Sequence, residues 1–118
     1  VWDEGPAQST HVEFAGTTGG SRVLVLDSGN LTETGPFNFH GTHVSGTIAA
    51  KGLDPAAKGM ATNVNIRNYN FANDSAEMLT AVTDPATPIF LSNHDAATKA
   101  SNRTRGLSSF TAAINKSA

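Results

Sequence analysis

Three short segments constrain the fold of this chain more than any other feature. Residues 22–26 form a continuous Val/Leu run, residues 63–71 alternate around two aliphatic side chains, and residues 88–92 are again apolar. Each is bounded by turn-forming residues, as buried strands are. Between them lie two segments with helical spacing, of which the second opens with the capping-box sequence DSAE. Strands that alternate with helices predict an α/β layer with a mainly parallel sheet.

Composition narrows the classes of function. The chain has 118 residues, enough for one domain, and its 38% hydrophobic content is compatible with a packed core. A net charge of −2 gives no electrostatic reason to expect nucleic acid or an anionic membrane as a partner. No apolar run approaches the roughly 18 residues that span a bilayer. The absence of cysteine excludes disulfides and thiol chemistry.

The stretch HGTHVSGT, residues 40–47, carries the strongest chemical signal. A histidine at the start of a helix can take a proton from a serine and later give it to a leaving amine. This stretch resembles the histidine motif of the subtilisin-like serine proteases, the subtilases. The resemblance implies that His40 is the general base and that His43 is a structural neighbour. It also implies that Gly41 and Gly46 allow close approach of the backbone.

Two other interpretations of this motif stay open. His40 could be a structural histidine with a satisfied hydrogen-bonding environment. Alternatively, His40 and His43 could bind a metal ion in a metal-dependent hydrolase. The H-x-x-H spacing lacks the glutamate of the H-E-x-x-H zinc motif, and histidine pairs three residues apart are common by chance.

Two aspartates precede His40, and both stand in a D-x-G sequence. Asp3 lies 37 positions before His40 and Asp27 lies 13 positions before it, so the reach of the chain excludes neither. In the subtilases, the catalytic D-x-G is followed by a histidine motif such as H-P-D-L. Residues 11–14, HVEF, follow Asp3 in this way, whereas no such motif follows Asp27. The resemblance therefore implies that Asp3 orients His40 and that Asp27 is a turn or surface residue.

The same resemblance implies structural roles for His11 and Glu13. Many subtilases have an acidic residue near the position of Glu13, close to a calcium site. No loop of this sequence carries a matching set of oxygen ligands, so we expect no cofactor here. Structural calcium remains an expectation for the complete family domain only.

The resemblance covers residues 1–94, through AKGMA at 57–61 and IFLSNH at 89–94. These segments are similar to a secreted bacterial branch of the family. After His94 the expected S-Y-G is replaced by DAA. The predicted fold is thus a three-layer α/β/α, subtilisin-like domain of which only the N-terminal portion is present. Residues 95–118 form a divergent tail, in which Leu107, Phe110 and Ile114 could share one helical face.

The nucleophile is the least defined part of the predicted site. Ser108, in GLSSF at 106–110, is the best candidate, although the family motif is G-T-S-M-A. One interpretation is a compact enzyme whose tail brings Ser108 to His40. The other is that Ser108 is an ordinary polar residue and that the chain is an incomplete catalytic domain, inactive in isolation.

The predicted function is that of a secreted serine endopeptidase that acts on polypeptides through a Ser-His-Asp triad. A non-catalytic pseudo-protease or binding fragment on the same fold is the alternative. Half a sheet would also leave an unpaired strand edge, which predicts self-association.

Overall fold

The alternation of strands and helices is confirmed by the computed structural model, which describes residues 1–94 and the backbone of residues 111–112. The elements in chain order are β1 (Trp2–Asp3), β2 (Val23–Val25), α1 (Phe39–Ala49), β3 (Ile66–Asn70), α2 (Asp74–Thr83), β4 (Leu91–Ser92) and β5 (Thr111–Ala112). Two 3₁₀ turns, Val12–Phe14 and Pro55–Ala57, precede and follow α1. None of the described helices is long and apolar enough to cross a membrane.

A parallel sheet forms the centre of the described structure, with strand order β1-β3-β2. Trp2 pairs with Tyr69 and Val23 pairs with Ile66, both in parallel register. The chain that follows β4 lies beside the outer edge of β1 and extends the sheet, since the N–H of Trp2 donates a hydrogen bond to the carbonyl of Asn93 at 2.9 Å. Since these strands run in the same direction, their carboxyl ends meet at one edge of the sheet.

The two helices cover opposite faces of this sheet. Successive side chains of a strand point to opposite faces, and in β1 Asp3 contacts α1 whereas Trp2 contacts α2. On the α2 face, the Trp2 and Tyr69 rings stack with centroids 4.6 Å apart, and Ala81 packs against them. The α1 face has its own apolar cluster of Ala7, Phe14, Val23, Ala49 and Ile66. The arrangement is helix, sheet, helix, as predicted.

Helix α1 begins at Phe39, one residue before His40. The preceding residue, Asn38, is its N-cap, and the Asn38 side chain accepts a hydrogen bond from the N–H of Gly41 at 2.8 Å. Asparagine is among the best N-cap residues because its side-chain oxygen replaces a missing acceptor of the first turn.

The predicted capping box of α2 was wrong. Asn73, in the left-handed region at φ 64°, precedes the helix and makes no side-chain cap. Asp74 Oδ1 accepts a local bond from the N–H of Ser75, and its Oδ2 contacts His94 Nε2 at 2.6 Å. Glu77 accepts from Trp2 Nε1 at 3.0 Å instead of reaching back to the start of the helix.

The end of the described chain differs from the expectation. Strand β4 spans two residues rather than the predicted residues 88–92, and it pairs antiparallel with β5. Thr111 and Ala112, within the tail that could be helical, lie in strand β5. Leu107, Phe110 and Ile114 lie outside the described residues.

Candidate active site

Asp3 and His40 form a hydrogen-bonded pair at the carboxyl end of β1. Asp3 is completely buried, and its Oδ1 lies 2.9 Å from His40 Nδ1. A carboxylate can only accept, so Nδ1–H donates and the lone pair of the neutral ring lies on Nε2. The His40 side chain is 38% exposed. The carboxylate of the pair is thus buried, whereas solvent can reach the imidazole.

Close contact between two backbone segments brings the pair together. A Cβ placed on Gly41 would lie 2.7 Å from the carbonyl oxygen of Gly5 and 3.6 Å from Asp3 Cβ. Any side chain at residue 41 would therefore push α1 away from the chain that follows β1. The role predicted for Gly46 was wrong, because a Cβ there would meet no atom of another described segment within 4 Å.

Asp27 lies elsewhere in the sheet. It follows β2, which is separated from β1 by β3. Its Oδ1 accepts a hydrogen bond from the N–H of Gly29 at 3.3 Å, as in a local turn. The structure therefore brings Asp3, and not Asp27, to His40.

Glu13 anchors the loop that follows α1. Its buried carboxylate accepts hydrogen bonds from the N–H groups of Gly52, Leu53 and Asp54, at 2.7, 3.2 and 3.1 Å. The N–H of Asp54, assisted by the other two, lowers the pKa of Glu13 below its ordinary value, and this outweighs the opposing effect of desolvation. His11 supports this arrangement, because its Nδ1 accepts from the N–H of Glu13.

His43 lies one turn after His40 on the exposed side of α1. In residues 1–94, no three histidine, aspartate or glutamate side chains are grouped as a metal ion would require. The other histidine–aspartate pair of the described region is His94 with Asp74. It joins the start of α2 to the chain after β4, which lies beside β1.

Comparison with known proteins is consistent with this geometry. The family model described as Subtilase family matches residues 4–116, nearly the whole chain. This chain belongs to the subtilase family. The match extends beyond residue 94, where the motif-based resemblance ends, and includes the position of Ser108.

A named relative of this subtilase is the Aeromonas extracellular serine protease of Aeromonas sobria. The two are 37% identical over 60 residues, which is 51% of this chain and 10% of that protein. The subtilase chain therefore matches about a tenth of the length of this relative. No solved structure matches the chain.

Two further residues bear on the predicted site. Ser108, the predicted nucleophile, lies outside the described residues. Asn38, which caps the helix that carries His40, was missed at the sequence level. An asparagine two residues before a histidine that begins a helix is a recognisable N-cap signal, and this signal could have identified Asn38.

Proposed function

We propose that this chain provides the acid and the base of a serine endopeptidase that uses a Ser-His-Asp triad. The observation that carries the proposal is the 2.9 Å contact between the buried Asp3 carboxylate and Nδ1 of the partly exposed His40. Membership of the subtilase family and the relative named as a serine protease support it.

In this mechanism His40 Nε2 removes the proton from a serine hydroxyl as the serine oxygen attacks a peptide carbonyl. The imidazolium that forms is stabilised by the Asp3 carboxylate, which also holds the ring in the required tautomer. His40 then gives the proton to the leaving amine, and an acyl-enzyme remains. Water, activated by His40 in the same way, hydrolyses the acyl-enzyme and restores the serine.

The proposed substrate is a polypeptide, and the proposed location is outside the cell. The substrate follows from the proposed reaction, because the family and the name of the relative indicate cleavage of peptide bonds. The second is supported by the word extracellular in the name of the Aeromonas protein.

The test is labelling of the purified chain with a fluorophosphonate, which reacts with activated serines. Intact mass is measured for the parent chain and for His40→Ala, Asp3→Asn and Ser108→Ala. An adduct that is lost in His40→Ala supports the proposed base. Its loss in Ser108→Ala as well would identify the nucleophile.

Other outcomes would change the assignment. An adduct that persists in His40→Ala contradicts the role of His40. A folded chain with no adduct lacks the nucleophile, and the activity would then require residues beyond these 118. Hydrolysis that a chelator abolishes and the fluorophosphonate does not affect would support the metal-dependent alternative instead.

A further inference from the structure

Asn38 is a completely buried polar residue in the described part of the chain, and its side chain is fully engaged in hydrogen bonds. Its Oδ1 accepts from the N–H of Gly41. Its Nδ2 donates to Thr32 Oγ1 at 3.1 Å and to Asn30 Oδ1 at 3.3 Å. Burial of an amide is costly unless both its ends are paired, so the surrounding groups fix its position.

These bonds connect the start of α1 to the loop formed by residues 30–37. The same loop is attached to the residue after Asp3, because Glu4 accepts from the N–H of Leu31 at 2.9 Å and from the hydroxyl of Thr32 at 2.8 Å. In addition, the N–H of Asn38 donates to the carbonyl of Pro6 at 2.6 Å.

The contacts form a closed ring. It runs from Asp3 to Glu4 along the chain, from Glu4 through Thr32 to Asn38 by hydrogen bonds, and from Asn38 to His40 along the first turn of α1. The bond between His40 Nδ1 and Asp3 Oδ1 closes it. Asp3 and His40 are thus held at two ends of one bonded unit rather than by their mutual contact alone.

We propose that Asn38 is a positioning residue of the site, which fixes His40 against Asp3 both by capping α1 and by attaching it to the loop of residues 30–37. This inference rests on the proposed function for its catalytic meaning. Its physical content, the dependence of the His40–Asp3 bond on Asn38, does not require that the chain be active.

The experiment separates the capping of α1 by Asn38 from the attachment of α1 to the loop of residues 30–37. Asn38→Ser keeps a capping oxygen, since serine is also a good N-cap, but it loses the Nδ2 donors. Thr32→Val removes an acceptor of Asn38 at an exposed position, without a change in α1. Asn63→Ser and Thr80→Val are the matched controls, because both positions are exposed and lie outside the ring.

The measured quantity is exchange with water of the His40 Nδ1 proton, followed by NMR in the 118-residue chain. In Asn38→Ser we expect exchange of this proton to be about tenfold faster than in the parent. A change of this size corresponds to the small net free energy that hydrogen bonds such as those of Asn38 Nδ2 contribute. A smaller acceleration is expected in Thr32→Val, with no change in either control. Unchanged exchange in a folded Asn38→Ser chain would overturn the proposal. If Asn38→Ser does not fold, unchanged exchange in Thr32→Val overturns it.

Labelling by the fluorophosphonate distinguishes this proposal from the proposed function. If the parent reacts, the rate in Asn38→Ser should fall by about tenfold to a hundredfold, because a base displaced by about 1 Å loses its alignment. If the parent does not react and the exchange results are as expected, the proposed activity of the isolated chain fails and the positioning role of Asn38 stands.

Discussion

At the scale of single residues, the site depends on a choice between two similar aspartates. Asp3 ends an apolar strand and Asp27 closely follows another, and both are followed two positions later by glycine. Only Asp3 reaches His40 Nδ1, and its complete burial strengthens the interaction with any charge that develops on the ring.

Asp3→Asn and Asp27→Asn test this choice with the same chemical change. Asn at residue 3 removes the charge and permits the wrong imidazole tautomer, so we expect the rate of fluorophosphonate labelling to fall about 10⁴-fold. Asn at residue 27 retains an oxygen for the N–H of Gly29, and the rate should not change. A large loss in Asp27→Asn with none in Asp3→Asn would contradict the assignment.

Gly41 and Gly46 lie in the same helix but differ in their surroundings. In Gly41→Ala the new methyl would collide with the carbonyl of Gly5, and we expect a loss of about 1–3 kcal/mol in the free energy of unfolding. Gly46→Ala fills open space and should gain about 0.5–1 kcal/mol through helix propensity. Urea denaturation measures both, and equal effects would show that the close approach at Gly41 is unimportant.

At the scale of elements, two buried charged residues hold the C-terminal end of α1. Glu13 accepts three N–H groups of the following loop. Arg22 donates to the carbonyls of Glu13, Ala15, Ala49 and Val64. The bond to Ala49 satisfies a carbonyl that the end of a helix leaves unpaired. The other bonds attach the end of α1 to the chain before β2 and to the approach to β3.

The pH dependence of stability should reflect Glu13. Because the folded chain lowers the pKa of Glu13, this carboxylate stabilises the fold above its ordinary pKa of 4.5, and the contribution is lost as the pH falls through the lowered folded value. Glu13→Gln should therefore be less stable than the parent at pH 7, with a smaller difference at pH 3. Urea denaturation at the two pH values measures this, and an equal difference at both would contradict it.

Arg22→Lys should be strongly destabilising. Lysine has no planar set of donors that could reach four separate carbonyls. Because buried carbonyls would then lack partners, we expect the free energy of unfolding to fall by about 3 kcal/mol. Arg67→Lys is the control, because Arg67 pairs with one partly exposed carboxylate, that of Asp84, rather than with four buried carbonyls. Thermal unfolding of the two variants gives the comparison, and similar losses would argue against a special role for Arg22.

At the scale of the whole molecule, the sheet leaves apolar surface exposed. Within the described residues, β2 pairs only with β3, so its other edge is open. Leu24 and Leu26, on and just after β2, are 56% and 49% exposed. They line an open pocket with Tyr69, Ala81 and Pro85. Open edges with apolar side chains favour association between chains.

We therefore predict concentration-dependent association of the isolated chain. Leu24→Lys should shift the equilibrium toward the monomer, because a charge on an edge strand opposes pairing with another chain. Sedimentation velocity over a range of concentrations measures the shift, with Leu79→Lys on exposed α2 as the control. A parent chain that stays monomeric at all concentrations would contradict the prediction.

The sequence alone determined the class of fold and predicted the pairing of Asp3 with His40. Strand and helix periods are local properties, so the parallel α/β layer was predictable from residues 22–26 and 63–71. The motif HGTHVSGT, together with the HVEF that follows Asp3, also distinguished Asp3 from Asp27 before any distance was measured.

Only the tertiary structure decided how these residues are held. Asn38 bonds to Thr32 and to Pro6, while the carboxylates of Asp74 and Glu77 bond to His94 and Trp2. These partners lie in other segments of the chain, and a polar side chain takes whichever donor or acceptor the fold brings within reach. Local patterns predict elements for this reason, whereas the choice of polar partner belongs to the folded chain.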